Sequence, residues 1–164
     1  MKYIWSPWRM TYIQRQKEEE KGCVFCAAQD LPDGLENLIL HRGRETFVIL
    51  NRFPYTSGHL MVVPYIHNAS ISGLSGSTRA ELMELANQII SVLSKEYQAQ
   101  GFNIGVNIGE AAGAGITDHV HLHVVPRWSG DTNFMSSLGE TRVLPETLED
   151  TYQRLKRAWH QRNL

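Results

Sequence analysis

The chain lacks both a long apolar run and an excess of charge of one sign. A membrane-spanning helix needs about 20 consecutive apolar residues, and no stretch approaches that length. The opening run MKYIWSPWRMTYI places aromatics and arginine where a secretory signal has an uninterrupted apolar core. Sixteen Lys plus Arg against seventeen Asp plus Glu give a net charge of −1, which excludes a bulk positive field for nucleic acid or lipid. We therefore expect a cytoplasmic protein that binds neither nucleic acid nor membrane.

Cysteine is also scarce, and no internal repeat or low-complexity tract is present. The only two cysteines, Cys23 and Cys26, have the spacing of a metal knuckle or a redox pair, which a reducing compartment favours over a structural disulfide. A length of 164 residues with 42% apolar residues fits one domain. We expect an N-terminal arm (1–22), a folded domain (23–128) and a tail with a helix (129–164).

The apolar pattern predicts an α+β fold with an antiparallel sheet. Runs typical of strands occupy residues 35–43, 45–53, 58–65 and 102–110. Gly43 lies in the turn of a hairpin that joins the first two runs. The fifth predicted strand is DHVHLHVVPRW (118–128), which follows a glycine-rich loop at 111–115.

Two helices complete the expected fold. Thr78-Arg79-Ala80-Glu81 fits a capping box at the start of a long helix with apolar residues every 3.6 positions, which Gly101 ends. A C-terminal helix is predicted after Pro145. Its expected buried face is Leu148, Tyr152, Leu155 and Trp159.

Three of the seven histidines alternate along the fifth predicted strand: His119, His121 and His123, called here the histidine row. Alternate side chains of a strand share a face, so neighbouring imidazoles would lie roughly 6 to 7 Å apart. A coincidental set of surface or core histidines is one interpretation. A metal site is another, although a straight row allows only one end to serve an ion with bonds of about 2.0 to 2.1 Å.

Covalent catalysis at phosphorus is the third interpretation and the one we prefer. His121 would attack a phosphate while a flanking histidine donates hydrogen bonds to the non-bridging oxygens. Backbone N–H groups of the glycine-rich loop could approach the same oxygens, because glycine lets the backbone come close.

The row His119-Val-His121-Leu-His123-Val-Val resembles the motif that defines the histidine triad (HIT) superfamily of nucleotide hydrolases and transferases. Leu50-Asn51-Arg52-Phe53-Pro54 and Ser57-Gly58-His59-Leu60 resemble a second segment of that superfamily. The resemblance covers roughly residues 23–128. It implies that Asn51 holds the ribose, that Asn107 binds substrate, and that His59 supports the nucleophile. It also implies a five-stranded antiparallel sheet with a long helix, paired between two chains into a ten-stranded sheet.

The loop before the histidine row indicates which branch of the superfamily the chain resembles. Many superfamily hydrolases carry Gly-Gln-Ser/Thr-Val there, whereas this chain has Gly113-Ala-Gly115-Ile-Thr117-Asp. With the WSPWRM arm, Pro126-Arg127-Trp128 and the run 130–134, this loop is similar to the bacterial branch that includes diadenosine tetraphosphate phosphorylases. That likeness implies that Thr117, with Gly113 and Gly115, holds phosphate.

The resemblance implies a ping-pong reaction. His121 would take a nucleotidyl group from a dinucleoside polyphosphate, His123 would bind phosphate oxygens, and inorganic phosphate would then release the nucleotide. Diadenosine tetraphosphate would yield ATP and ADP. Hydrolysis of dinucleoside polyphosphates or nucleoside phosphoramidates, and slow-turnover nucleotide binding for regulation, remain the alternatives.

The resemblance also bears on the cysteines. Several relatives bind structural zinc with the set Cys23, Cys26, His67 and His119, which would pin the N-terminal segment to the nucleophile strand. Buried free thiols are the alternative, and a redox pair lacks the βαβ pattern that usually follows one. A magnesium ion that accompanies the nucleotide is a second cofactor that this interpretation allows. His41 and His160 are expected to be ordinary surface residues.

Overall fold

A computed structural model describes residues 22–131 and 145–162. The predicted N-terminal arm up to residue 21, and the part of the tail at 132–144, lie outside the described residues. Within the described ranges no helix has the length and apolar content needed to cross a membrane.

The sheet is antiparallel, with five strands in the order β1-β2-β3-β5-β4. The strands are β1 (Ile39–Arg42), β2 (Thr46–Leu50), β3 (Leu60–Pro64), β4 (Gly101–Val106) and β5 (Leu122–Arg127). The helices are α1 (Val24–Asp30), α2 (Gly76–Tyr97) and α3 (Leu148–Gln161), with 3-10 turns at Ile71–Gly73 and Glu110–Ala112. The predicted α+β class and the five-stranded antiparallel sheet are confirmed.

The core lies between the sheet and the two longer helices. Every residue of β2 and β3 is buried, as expected for central strands. The faces of α2 and α3 that point inward are apolar. They contribute Leu82, Leu85, Ile89, Leu93, Tyr152, Leu155 and Trp159.

The prediction that the whole histidine row lies in a strand is wrong, because only His123 lies in β5. Strand β5 begins at Leu122, so His119 and His121 precede it. The reason is a hydrogen bond outside the sheet, from the Val120 amide to the Asn68 carbonyl oxygen at 2.7 Å. This bond ties the first part of the row to the loop after β3 and turns His119 toward the N-terminal segment.

The predicted capping box of the long helix is wrong. Ser75 is the N-cap, and its hydroxyl accepts the Thr78 amide at 3.0 Å, so Thr78 lies inside α2. Glu81 instead reaches the β1–β2 turn, where its carboxylate accepts the amides of Arg44 and Glu45 at 2.8 and 2.7 Å. The helix braces the hairpin through this carboxylate.

The predicted helix end at Gly101 is also wrong. Helix α2 ends at Tyr97, and Gln98 adopts the left-handed conformation (φ 49°) that commonly terminates helices. Gly101 is the first residue of β4.

The two edges of the sheet differ. At β1, the Tyr152 hydroxyl of α3 donates to the Ile39 carbonyl at 3.0 Å, and the Lys156 ammonium donates to the Leu40 carbonyl at 2.8 Å. The predicted C-terminal helix is thus confirmed, and it covers this edge. At β4 the middle residues are exposed, including Ile104 at 40%.

Candidate active site and metal centre

The first member of the histidine row points away from the other two. His119 is fully buried, and its Nε2 lies 2.9 Å from the Pro64 carbonyl oxygen. Because a carbonyl only accepts, Nε2 carries the proton and Nδ1 keeps a lone pair. That Nδ1 lies 3.1 Å from the Cys23 sulfur.

Cys23, Cys26, His67 and His119 form one cluster, called here the metal cluster, whose ligand atoms lie within 4.8 Å of one another. The Cys26 sulfur is 3.4 Å from His67 Nδ1 and 3.7 Å from His119 Nδ1. A tetrahedral ion with bonds of about 2.0 to 2.3 Å sets neighbouring ligand atoms about 3.5 Å apart. Two thiols and two imidazoles at these spacings could hold a metal ion, and this donor set fits zinc.

Burial affects the protonation of two members of the cluster, Cys23 and His119. Burial raises the pKa of the Cys23 thiol to about 11, so without an ion this group keeps its proton. A coordinated thiol is deprotonated, and its proton leaves when the ion binds. Burial lowers the pKa of His119, which keeps that imidazole neutral and able to ligate.

His121 is held in a tautomer that suits a nucleophile. Its Nδ1 lies 2.9 Å from the His119 carbonyl oxygen, so Nδ1–H donates and the lone pair is at Nε2. The side chain is only 5% exposed. Burial lowers its pKa, which favours the neutral, nucleophilic form.

His123 is held in the opposite tautomer by a chain of hydrogen bonds. The Tyr55 amide donates to His59 Nδ1 at 3.1 Å, so His59 carries its proton on Nε2. That Nε2 lies 3.0 Å from His123 Nδ1, which therefore accepts and leaves the His123 proton on Nε2. Burial, and secondarily His121, lower the pKa of His123 to about 4.

The last two members of the row are therefore complementary. Their ring centroids are 4.7 Å apart at an interplanar angle of 73°. His121 offers a lone pair at Nε2, and His123 offers a proton at Nε2. A nucleophile beside a neutral hydrogen-bond donor is an arrangement that can attack phosphorus and stabilise the charge on its oxygens.

His59 lies behind His123. Its Nε2 is hydrogen-bonded to Nδ1 of this catalytic candidate. Asn51 joins the same chain, with its Nδ2 3.2 Å from His59 Nδ1, and its Oδ1 accepts the Phe53 amide at 3.0 Å. Asn51 thus lies against the ring of His59, the residue that hydrogen-bonds to His123.

Part of the glycine-rich loop forms hydrogen bonds with its own neighbouring backbone. Gly113 has φ 81°, which favours glycine, and its amide donates to the Glu110 carbonyl at 2.9 Å. The Ala114 amide donates to Gly109 at 3.3 Å. Gly115 and Thr117 are exposed. The part of the loop nearest the row is the part that can approach an anion.

Asn107 is placed by the sheet register. It directly follows Val106, the last residue of β4, which pairs with Leu122 beside His121. Asn107 is half-buried at this end of the sheet. The fold thus brings this predicted substrate residue to the strand end next to His121.

The sequence interpretation missed two contacts. Tyr55 sets the tautomer of His59 through its backbone, and its ring lies 4.7 Å from that of His59. Asp118 places a carboxylate oxygen 3.7 Å from Nε2 of the cluster ligand His67. An acid next to the first triad histidine was a usable signal for a partner of a metal ligand, whereas a backbone amide leaves no trace in sequence.

Comparison with known proteins points to one family. The sequence profile of the HIT domain matches residues 35–130, which is more than half of the chain. A Mycobacterium tuberculosis protein named AP-4-A phosphorylase is 37% identical over 163 aligned residues, covering 95% of this chain and 83% of the relative.

Solved structures agree in fold. A zinc-bound histidine triad family protein from Mycobacterium smegmatis is 30% identical, with a TM-score of 0.69 over 87% of this chain and 96% of that one. A Plasmodium falciparum diadenosine triphosphate hydrolase is 14% identical with a TM-score of 0.63, and this likeness concerns the fold alone. From the profile match, the identity to the mycobacterial relative and the triad geometry, we conclude that the chain belongs to the HIT domain family.

Proposed function

We propose that the chain is a nucleotidyltransferase that cleaves dinucleoside polyphosphates through a nucleotidyl-histidine at His121, with inorganic phosphate as acceptor. The observation that carries this proposal is the pair of complementary tautomers. His121 keeps its lone pair at Nε2 because Nδ1 donates to a carbonyl, and His123 keeps its proton at Nε2 because Nδ1 accepts from His59.

The reaction has two displacements at one phosphorus. His121 Nε2 attacks the α-phosphorus of diadenosine tetraphosphate, an N–P bond forms, and the P–O bond to the leaving ATP breaks. An oxygen of inorganic phosphate then attacks the same phosphorus and breaks the N–P bond. Adenylate leaves as ADP, and the His121 lone pair is restored.

His123 would stabilise both displacements. Its Nε2–H is a neutral donor, and a donor that is already oriented toward the developing charge costs little reorganisation. His59 acts behind it as the group that keeps this proton in place. Asn51 and Asn107 would bind the nucleoside side of the substrate.

Phosphate as acceptor rests on sequence likeness. The mycobacterial relative is named a phosphorylase, and it is 37% identical across nearly all of this chain. Thr117, with Gly113 and Gly115, would bind the incoming phosphate. A magnesium ion would enter with the polyphosphate of the substrate, whose charge it neutralises.

The metal cluster would have a structural role. Cys23, Cys26, His67 and His119 would bind zinc, and the ion would supply a crosslink between α1 and the residue that precedes the nucleophile by two positions. Each ligand histidine uses Nδ1 toward the sulfurs, so the coordination leaves the opposite nitrogen to bind the protein.

We also propose that two chains pair along β4 to form a ten-stranded sheet. α3 blocks the opposite edge at β1, whereas β4 exposes Asn103, Ile104 and Gly105. Ile104→Lys places a charge on the open edge, a device that blocks strand pairing. Light scattering should then show a dimer for wild type and a monomer for the variant, and Met83→Lys on the exposed face of α2 is the control.

Product analysis tests the proposed reaction. Diadenosine tetraphosphate is incubated with the protein, with and without inorganic phosphate, and ADP, ATP and AMP are separated. We expect ADP and ATP only when phosphate is present. AMP and ATP without phosphate would make the protein a hydrolase, and no products would favour the phosphoramidate or nucleotide-binding alternatives.

A further inference from the structure

The ring of Phe25 contacts the metal cluster and the nucleophile at once. Phe25 stands between the two cysteines in the first turn of α1 and is only 3% exposed. Its ring centroid lies 5.3 Å from that of His119, edge to face at 75°. It lies 5.0 Å from that of His121, at 53°.

A nucleophilic imidazole needs a restraint of this kind. The hydrogen bond from His121 Nδ1 to the His119 carbonyl holds one atom of the ring, and a pivot about that atom is opposed by the neighbouring rings of His123 and Phe25. A pivot would swing Nε2, the atom that attacks. Close packing against a second ring opposes that motion, because a gap of even 0.5 to 1 Å forfeits much of the dispersion energy.

The aim of this atom affects the rate, as its presence does. A misplacement of about 1 Å can lower the rate about 100-fold, because attack requires a near-linear approach to the reacting atom. The sulfurs of the cysteines on either side of Phe25 lie 3.1 and 3.7 Å from His119 Nδ1, so the turn that carries the ring packs against the histidine row. The position of that turn therefore sets the position of the ring against His121.

We propose that Phe25 is a positioning residue, which transmits the placement of the cysteine turn to the His121 imidazole and so aims Nε2. The inference rests on the proposed function of His121 and adds a residue that aims it. It assigns Phe25 no contact with the substrate.

The test compares Phe25→Leu and Phe25→Met with Phe102→Leu. Phe102 packs against the same core from β4, and among the described residues its ring contacts no histidine. For phosphorolysis we expect Phe25→Leu to lower kcat 10-fold to 100-fold, with KM within about 2-fold and the zinc content unchanged. Phe25→Met should recover part of kcat, because its flexible thioether refills the space. Phe102→Leu should keep the wild-type kcat.

Other outcomes would overturn the proposal. A raised KM with unchanged kcat would mean that the ring contacts substrate. A loss of kcat that tracks the loss of zinc, and is restored when zinc is added, would assign the effect to the metal cluster alone. An unchanged kcat in Phe25→Leu would show that His121 is aimed by its hydrogen bond without this ring.

A second measurement is independent of turnover. Correlation spectra of ¹⁵N-labelled histidine rings, recorded on the zinc-loaded protein without substrate, should show a single Nδ1-protonated tautomer for His121 in wild type. In Phe25→Leu that signal should broaden or split, whereas in Phe102→Leu it should not. Unchanged His121 signals in Phe25→Leu would refute the positioning role. If the wild type failed to cleave dinucleoside polyphosphates, the proposed function would fall while the spectra still decided the role of Phe25.

Discussion

His119 and His123, at the two ends of the histidine row, present opposite ring nitrogens to their sites. At the metal end, His119 Nε2–H donates to the Pro64 carbonyl oxygen, and the lone pair at Nδ1 faces sulfur. At the other end, His59 Nε2–H donates a hydrogen bond to His123 Nδ1, and His123 keeps its own proton at Nε2. The partner behind each ring, rather than the histidine itself, decides whether that ring ligates or donates.

His121 stands between these ends, and its removal should have the largest effect. His121→Asn keeps a polar side chain of similar reach but has no nucleophilic nitrogen. We expect kcat to fall at least 10³-fold, whereas nucleotide affinity should stay within a few-fold. Steady-state kinetics and calorimetric titration of ADP would check this, and unchanged turnover would refute the covalent mechanism.

The second-largest fall in kcat is expected from loss of His59, which hydrogen-bonds to His123. His59→Leu removes the proton that fixes the His123 tautomer, so His123 can turn a lone pair toward substrate oxygens. Loss of an oriented donor costs about 10²-fold to 10³-fold in kcat, and we expect a fall of about 10²-fold because both the tautomer and the orientation of the His123 ring lose their support. The same substitution at exposed His160 should leave kcat unchanged. A larger effect on KM than on kcat would contradict this assignment.

Sequence reasoning found the residues but not the partners that separate their roles. Alternation identified His119, His121 and His123 as a set, and divergence along a straight row predicted that one end could bind an ion. The tautomers depend on the carbonyls of His119 and Pro64 and on the Tyr55 amide, and backbone groups are present at every position of a chain.

The fold shows the same limit. Apolar periodicity located the sheet and both longer helices, because burial leaves a pattern in the sequence. The start of α2 and the start of β5 were misplaced, because Glu81 and Val120 bond to segments that are distant along the chain. Element ends are set by such tertiary contacts, which local pattern does not contain.

The pH dependence of the free energy of unfolding tests whether His123 is neutral in the folded protein. The pKa of His123 is lowered to about 4 by burial, against 6.5 for a free imidazole. Between these values the unfolded chain binds a proton that the folded protein does not, so stability is full above pH 6.5 and is lost as pH falls toward 4. From pH 7 to pH 5 we expect wild type to lose about 2 kcal/mol more than His123→Asn. Urea unfolding at both pH values measures this difference, and parallel losses would mean that His123 titrates normally.

The smallest effect should come from Asp118 at the metal end. Its carboxylate oxygen lies 3.7 Å from Nε2 of His67, whose Nδ1 faces Cys26. A carboxylate behind a ligand histidine orients the ring and raises its basicity, and its loss typically lowers metal affinity 10-fold to 100-fold. Because both Asp118 and His67 are partly exposed, we expect Asp118→Asn to weaken zinc binding about 10-fold in chelator competition. Asp33→Asn, which breaks an ion pair with Arg42 away from the cluster, should leave zinc affinity unchanged.

With zinc at saturation, kcat of Asp118→Asn should match wild type, because the carboxylate acts on the ligand at the metal end and not on His121 or His123. A fall in kcat under those conditions would instead connect Asp118 to the catalytic end.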